Sequence, residues 1–236
     1  MRQEGEPENH SKPSIKNNNL KLKKISPKTQ NQKNTFISFD SGKNLLLHGV
    51  AGSGKSFVSL YLCLKTLFDN SDQNKIYIIR SMVPSRDIGF LPGNVKEKMK
   101  VYEAPYVSIF TELFNRGDAY DLLKNKGVVE FVSTSFIRGT TFDNCFVIVD
   151  ECQNMSSMEL HSVITRVGEN CKIIFCGDYK QDDLSSDRKK EYSGILDFMK
   201  ILKKMPSFEF IEFNIEDIVR SGLVKEYLLI RHKMGI

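Results

Sequence analysis

The sequence of 236 residues lacks the features that mark membrane, secreted and metal-binding proteins. No apolar stretch is long enough to span a bilayer, and the polar N-terminus contains no apolar core of a secretory signal, so none is expected. The five cysteines are odd in number and include no C-x-x-C pair, which favours a reducing, cytoplasmic setting over disulfides or structural metal. The four histidines have no metal-ligand spacing, so we expect them to be structural or exposed: His10, His48, His161 and His232.

Positive charge is in excess only near the N-terminus. Residues 1–34 hold eight of the 34 basic and three of the 29 acidic residues, which accounts for the whole formal charge of +5. Residues 35–236 are therefore balanced, and any nucleic-acid surface on them must be local. The tail is rich in Asn, Lys, Gln and Ser and poor in large apolar groups, which predicts a disordered segment over residues 1–34. Its basic patch either keeps the protein soluble or contacts nucleic acid: Lys21, Lys23, Lys24, Lys28 and Lys33.

Short apolar runs alternate with helical patterns in residues 35–236, which are enough for one domain with its own core. The predicted strands are Leu45–Leu47, Ile76–Ile79, Val128–Val132, Phe146–Val149, Lys172–Phe175 and Phe208–Phe213. The predicted helices are Ser56–Phe68, Val95–Phe114, Met158–Val167, Tyr192–Leu202 and Val224–His232. Apolar strands without alternation are typical of a parallel sheet covered on both faces. The pattern predicts a doubly wound α/β domain with its ligand at the carboxyl ends of the strands.

The stretch from Gly49 to Ser56 fits the phosphate-loop pattern G-x-x-x-x-G-K-[ST], between an apolar strand and a helix. Glycines let backbone N–H groups turn inward onto phosphate oxygens, and the helix N-terminus adds its own free N–H groups. Lys55 would reach the β- and γ-phosphates and the Ser56 hydroxyl would bind Mg²⁺. The alternative is a glycine-rich turn that binds nothing. The residues expected to hold the nucleotide are Gly49, Val50, Ala51, Gly52, Ser53, Gly54, Lys55 and Ser56.

A second motif, Asp150 and Glu151, follows the apolar run Phe146–Val149. With its strand placed beside the first strand, Asp150 would hold Mg²⁺ and Glu151 would orient and polarise the attacking water. The alternative is an acidic strand-to-loop junction without a catalytic role.

The next strand, Lys172–Phe175, leads into a polar segment that contains Gln181. An uncharged amide there could contact the γ-phosphate or water. On local composition alone, an ordinary turn rich in Asp and Gly is the better explanation.

Several motifs together resemble a known family. Asp150–Gln153 and Gly177–Gln181 resemble motifs II and III of superfamily 1 helicases. The phosphate loop, the acidic motif and three further segments resemble the PhoH family, the phosphate-starvation-inducible ATPases, over about residues 36–230: Ile88–Gly93, Phe136–Thr141 and Asp217–Ser221. The resemblance implies a single RecA-like ATPase core, ATP and Mg²⁺ as cofactors, a homo-oligomer such as a hexameric ring, and a role on RNA. Ser81–Asp87 departs from the family by being less acidic, which leaves its ligand open.

Residue by residue, the resemblance implies that Ser56 and Asp150 bind the metal and that four residues act in catalysis: Lys55, Glu151, Gln181 and Arg220. Arg220 would stabilise charge on the transferred phosphate, and a neighbouring subunit could supply it in trans. The alternative for Arg220 is a surface salt bridge to Glu216 or Asp217, which would contribute little.

Three arginines lie where helicase-like folds place loops along a nucleic-acid path: Arg80, Arg86 and Arg138. With Phe90 or Phe136 to stack on bases, they would form a local groove for single-stranded nucleic acid. Packing between domains or subunits is the alternative for the same residues.

The sequence therefore favours an ATPase that acts with RNA or single-stranded nucleic acid and has no membrane partner. A small-molecule kinase on a phosphate-loop fold is one alternative, although no arginine-rich lid is evident. A slow ATP-dependent switch or scaffold is the other.

Overall fold

The structure is a computed structural model that describes residues 20–69, 71–82, 95–178 and 192–234. Its centre is a six-stranded parallel sheet in a RecA-like α/β fold, as predicted. All six predicted strands are present, each within two residues of its expected bounds at either end. They are β1 (Asn44–Gly49), β2 (Lys75–Arg80), β3 (Val129–Ser133), β4 (Cys145–Val149), β5 (Lys172–Gly177) and β6 (Phe208–Phe213).

The strand order is β3-β2-β4-β5-β1-β6. The expectation that the acidic strand β4 lies beside β1 is therefore wrong, because β5 lies between them and pairs with both. Buried parallel strands are near-continuous apolar runs, so their sequences carry little information about which neighbour each will take. The prediction that the polar strand ends meet does not depend on this order, since all carboxyl ends of a parallel sheet lie at one edge.

In the described parts of the chain, the structure contains the five predicted helices and two α-helices that were not predicted. The helices are α1 (Gln30–Asp40), α2 (Lys55–Phe68), α3 (Val95–Phe114), α4 (Ala119–Asn125), α5 (Ser157–Ile164), α6 (Tyr192–Leu202) and α7 (Gly222–Lys233). The unpredicted helices are α1 and α4. Helix α5 begins with a capping box between Ser156 and Glu159 and ends three residues earlier than predicted. Among the residues described, no helix combines the length and apolarity needed to cross a membrane.

The helices cover both faces of the sheet and create two apolar layers. Leu45 and Leu47 of β1 face the layer formed with α1, α2, α3 and α4. Leu46, between them, faces the layer formed with α5 and α6. This alternation explains why β1 is apolar at every position, since side chains on both faces are buried. The carboxyl edge of the sheet is left for the connecting loops and carries the polar residues.

The predicted disordered tail of residues 1–34 is wrong for residues 20–34, while residues 1–19 lie outside the described part of the chain. Leu20, Leu22 and Ile25 pack against the layer formed with α1–α4. Backbone hydrogen bonds tie the segment down, from Lys23 N–H to the Leu113 carbonyl (2.8 Å) and from Ile25 N–H to the Tyr61 hydroxyl (3.1 Å). Average composition does not reveal these few apolar side chains, which are partly buried because other elements provide a surface for them.

Candidate functional site

The phosphate loop connects β1 to α2 and depends on glycine at positions 49 and 54. Gly49 has φ of +125°, and a Cβ atom there would lie 1.9 Å from the Phe213 carbonyl oxygen of β6. Gly54 caps α2 with φ of +86°, a left-handed conformation that glycine adopts without strain. The Val50 N–H donates to the Phe213 carbonyl (3.1 Å), so the neighbouring strand holds the start of the loop. The loop has the backbone that its motif predicted.

Lys55 and Ser56 open α2 and point in different directions. The Lys55 Nζ donates to the carbonyl oxygens of Gly49 (2.6 Å) and Val50 (2.9 Å), so the ammonium lies inside the loop. Burial lowers the pKa of Lys55 from its ordinary value. The Ser56 hydroxyl donates to Oδ1 of Asp150 at 2.7 Å, which joins the phosphate loop to the acidic motif. Two motifs 94 residues apart therefore meet at one point, even though β5 separates their strands.

Asp150 is buried at the end of β4, and both of its carboxylate oxygens have a partner. Oδ1 accepts from Ser56, and Oδ2 accepts from the hydroxyl of Tyr106 on α3 (2.8 Å). Burial, and then the nearby charge of Glu151, raise the pKa of Asp150 above its ordinary value. Burial, and then the charge of Asp150, raise the pKa of the Tyr106 hydroxyl as well.

The residues around Asp150 fit Mg²⁺ of the kind that nucleotides bring with them. Magnesium in such sites takes one or two protein oxygens, phosphate oxygens and several waters. Ser56 and Asp150 offer a hydroxyl and a carboxylate oxygen 2.7 Å apart beside the phosphate loop. Within the described ranges no group of three His, Cys, Asp or Glu side chains could hold a metal alone. The protein would therefore bind the ion together with a polyphosphate.

Glu151 adopts a strained backbone conformation next to Asp150. Its φ of 52° and ψ of 43° are left-handed, which is uncommon for a residue with a side chain. Its carboxylate accepts from Gln153 Nε2 at 2.6 Å, and Gln153 Oε1 in turn accepts from the Asp178 N–H at 3.0 Å. Gln153 thus ties the end of β4 to the end of β5 and holds Glu151 at the carboxyl edge.

Arg220 lies against the phosphate loop of its own chain. Its Cγ atom would be 2.8 Å from a Cβ atom placed on Gly52, and the preceding Val219 N–H donates to the Gly52 carbonyl (3.2 Å). Asp217, offered as its salt-bridge partner, accepts instead from Asn31 Nδ2 (2.7 Å) and from the Asn214 N–H (2.9 Å). A neighbouring subunit is therefore not needed to bring an arginine to this loop.

A cavity of about 620 Å³ opens over these residues. This volume is typical of small-molecule and cofactor sites. Its polar lining contains the phosphate loop, Asp150, Glu151, Asp178 and Arg220. Apolar side chains line it as well: Ile25, Phe57 and Ile109. The cavity therefore combines charged groups with apolar surface.

The described structure places only some of the residues predicted to form a nucleic-acid groove. Arg80 lines the cavity, and its guanidinium lies 5.7 Å from the centre of the Tyr102 ring. Arg138 and Phe136 are exposed on the connection between β3 and β4, with Phe136 at 55% exposure. Three predicted residues lie outside the described ranges: Arg86, Phe90 and Gln181.

Gln32 and Tyr106 are site residues that the sequence did not reveal. Gln32 is buried on α1, donates through Nε2 to the Ser53 carbonyl (3.0 Å) and accepts from the Lys28 N–H (2.8 Å). It lies in the segment that composition assigned to a disordered tail. Tyr106 lies in a long helix with no motif around it. Only the packing of α1 and α3 against the sheet shows that Gln32 reaches the phosphate loop and that Tyr106 reaches Asp150.

Comparison with solved structures supports the fold. The chain is similar to the large terminase from the thermophilic bacteriophage D6E, with a TM-score of 0.50 at 12% identity. The similarity covers 86% of this chain and 50% of that one. At this identity the likeness concerns the fold alone.

Comparison with curated sequences places the chain in a family. It is 30% identical over 211 residues to a PhoH-like protein of Bacillus subtilis, covering 89% of this chain and 65% of that protein. It is 31% identical over 193 residues to Protein PhoH of Escherichia coli K12, covering 81% and 53% respectively. The chain therefore spans between about half and two thirds of these relatives' lengths. The model of the family described as PhoH-like protein matches residues 24–231, and the chain belongs to this family.

Proposed function

We propose that this protein binds ATP with Mg²⁺ and hydrolyses it. One observation carries the proposal: the Ser56 hydroxyl and the Asp150 carboxylate are 2.7 Å apart at the mouth of the phosphate loop. The pairing of a hydroxyl at the end of a phosphate loop with an acidic strand end is the arrangement in which phosphate-loop NTPases hold Mg²⁺. The family assignment agrees with this proposal and does not by itself establish the reaction.

Each residue of the proposed site has a chemical role. The loop N–H groups and the Lys55 ammonium neutralise the β- and γ-phosphates, once Lys55 leaves the carbonyls of Gly49 and Val50. Mg²⁺, when bound, supplies further charge neutralisation between these phosphates. Glu151 orients a water for attack on the γ-phosphorus and accepts its proton as ADP leaves. Arg220 stabilises negative charge on the transferred group, and Gln181 is proposed to sense it.

We propose hydrolysis over transfer to a small molecule because Glu151 offers a carboxylate that can polarise water beside the phosphate loop. Its carboxylate is held by Gln153 at the strand edge and lines the same cavity as the phosphate loop. A kinase would transfer the γ-phosphate to an added acceptor, whereas the proposed enzyme releases inorganic phosphate without one. A slow switch or scaffold would differ from the proposed enzyme in rate alone.

The proposal is tested by replacing Glu151 with Gln. If Glu151 accepts the proton of water, Glu151→Gln lowers the rate of phosphate release about 100-fold or more. Nucleotide affinity should stay within about twofold, because the phosphate loop is untouched. Glu112→Gln, on the wall of the same cavity, is the control and should keep the wild-type rate. Equal rates for Glu151→Gln and wild type would reject this assignment.

We further propose that hydrolysis is coupled to RNA or single-stranded DNA. The supporting feature is the pair Phe136 and Arg138, an exposed aromatic ring and an exposed cation in one loop beyond β3. Arg80, Arg86 and the tail lysines would add cationic groups, and Lys21, Lys24 and Lys28 are exposed. The ATPase rate should rise with added single-stranded RNA or DNA and the rise should weaken with salt. An ATPase rate that neither RNA nor DNA changes would contradict the proposed coupling to nucleic acid and would leave the proposed hydrolysis standing.

We also propose that copies of the chain associate, with a hexameric ring as one form. Along α7 and at the residue after it, exposed apolar side chains recur at alternating spacings of four and three: Leu223, Tyr227, Ile230 and Met234. The same helix carries basic residues that could pair with acidic residues of another copy: Lys225, Arg231 and Lys233. The acidic residues are Glu209 and Glu212 of β6, which line a groove together with exposed Ile37 of α1. Sedimentation should show an oligomer that Tyr227→Glu dissociates and that Ile201→Glu, on α6, leaves intact. A monomeric wild-type chain would exclude the proposed association.

A further inference from the structure

Helix α3 contributes one buried hydroxyl to the centre of the proposed site. Tyr106 is 1% exposed, and its hydroxyl donates to Oδ2 of Asp150 at 2.8 Å. Its ring packs against Phe131 of β3, with the ring centres 5.8 Å apart. The side chain is therefore held in place by packing, and its hydroxyl reaches Asp150 of the acidic motif.

The hydrogen bond from Tyr106 completes a three-point hold on Asp150. The Asp150 N–H donates to the Ile79 carbonyl of β2 (2.9 Å), which fixes the backbone. Ser56 occupies Oδ1 and Tyr106 occupies Oδ2, so the carboxylate plane has only one orientation that satisfies both. Without the tyrosine hydroxyl, Oδ2 would be a buried oxygen without this partner, and the carboxylate could rotate about its χ2 angle.

The orientation of this carboxylate matters because Mg²⁺ demands near-ideal octahedral geometry with short oxygen distances. Oδ1 is the oxygen that lies beside Ser56 and faces the phosphate loop. A hydrogen bond that holds Oδ2 away from the loop therefore selects the oxygen that can meet the metal. Partners of metal ligands commonly act in this way on ion affinity.

We propose that Tyr106 is a positioning residue that presents Oδ1 of Asp150 to the metal of a bound nucleotide. This inference rests on the proposed nucleotide and Mg²⁺ site and adds a residue that no motif contains. It assigns α3 a part in metal binding, in addition to its part in the core.

The test measures the Mg²⁺ requirement of nucleotide binding with the full chain. A fluorescent N-methylanthraniloyl derivative of ADP serves as the probe, titrated first in EDTA and then at increasing Mg²⁺. Tyr106→Phe removes only the hydroxyl. It should leave the EDTA affinity within about twofold and raise the half-saturating Mg²⁺ concentration about tenfold or more. Excess Mg²⁺ should then restore probe affinity.

Tyr120→Phe is a matched control, because Tyr120 is also buried and its hydroxyl donates to a carboxylate, that of Glu103 (2.9 Å), away from Asp150. It should leave the Mg²⁺ requirement at the wild-type value. A chain with 4-aminophenylalanine at position 106 regains a donor and should recover most of the Mg²⁺ affinity, which keeps the test usable if Tyr106→Phe folds poorly.

Two results would overturn the inference, and only the second would also contradict the proposed nucleotide site. If wild type binds the probe more tightly with Mg²⁺ and Tyr106→Phe behaves identically, only the role of Tyr106 is lost. If wild type does not bind the probe, or binds it without any effect of Mg²⁺, the nucleotide site fails and the role of Tyr106 fails with it.

Discussion

Gly49 and Glu151 show how single positions constrain the proposed site. A side chain at position 49 would collide with the backbone of Phe213, so this glycine is required by close packing of two strands as well as by the loop. Glu151 keeps a left-handed backbone although it has a side chain. Backbone strain of this type costs on the order of 1–3 kcal/mol and persists only when surrounding contacts fix it. The contacts at this residue are the Gln153 amide, which donates to its carboxylate, and the Asn154 N–H, which donates to its carbonyl (2.9 Å).

His48, the residue before Gly49, makes stability depend on pH. It is 4% exposed and its ring lies 4.6 Å from that of Phe210. Burial lowers the pKa of His48 to about 4 from 6.5; Glu212 and Asp178 raise it, and Lys203 and Lys55 lower it further. Between pH 6.5 and 4 the unfolded chain therefore binds a proton that the folded chain does not. Stability is fully present above pH 6.5 and falls as the pH decreases through this window.

Urea unfolding at pH 7.5 and pH 5 measures this contribution of His48. On lowering the pH, wild type should lose about 2 kcal/mol more unfolding free energy than His48→Phe, which removes the titrating group and keeps a ring against Phe210. His161→Asn changes an exposed histidine on α5 and should retain the wild-type pH dependence. Parallel pH profiles for wild type and His48→Phe would contradict the account.

Helix α1 was not predicted from the sequence, and it supports the phosphate loop directly. Its Gln32 amide bridges the Ser53 carbonyl of the loop and the Lys28 N–H of the preceding segment. Gln32→Ala should lower the unfolding free energy by roughly 1–3 kcal/mol, because the buried Ser53 carbonyl and the partly buried Lys28 N–H lose their partner. It should also weaken nucleotide binding, because the loop loses a support.

Gln30→Ala is the control for Gln32→Ala on the same helix. Gln30 is exposed and donates only to Asn34 (2.9 Å). Its replacement should change the unfolding free energy by less than about 0.5 kcal/mol. Equal effects of the two substitutions in urea denaturation would show that Gln32 has no special role.

The strands, most helices and the phosphate loop could be predicted from the sequence, because each is encoded locally. An apolar run such as Phe146–Val149 or the spacing from Gly49 to Ser56 is visible without knowing any neighbour. Strand order, the packing of Leu20 and Leu22, and the reach of Tyr106 to Asp150 depend on contacts distant in sequence. The prediction for Arg220 also lacked this information, so its position against Gly52 of its own chain was missed.

At the scale of the described molecule, one parallel sheet brings the phosphate loop and the acidic pair Asp150 and Glu151 to a single edge. The loops that follow β1, β4 and β5 supply the phosphate loop, the acidic pair and Asp178, and α1 and α3 close the cavity from one side. The chain spans between about half and two thirds of the curated relatives it matches. The residues that line the cavity lie within the matched part, so the chain itself can be tested for the proposed activity.

The most direct test is calorimetric titration of the chain with ATP and Mg²⁺. The account predicts one ATP per chain, weaker binding when EDTA removes the metal, and affinity reduced about tenfold or more in Lys55→Ala, because a phosphate contact to a charged donor is lost. Lys65→Ala, in the same helix but outside the cavity, should bind as wild type does. Absence of ATP binding by wild type, or equal binding by wild type and Lys55→Ala, would contradict the account.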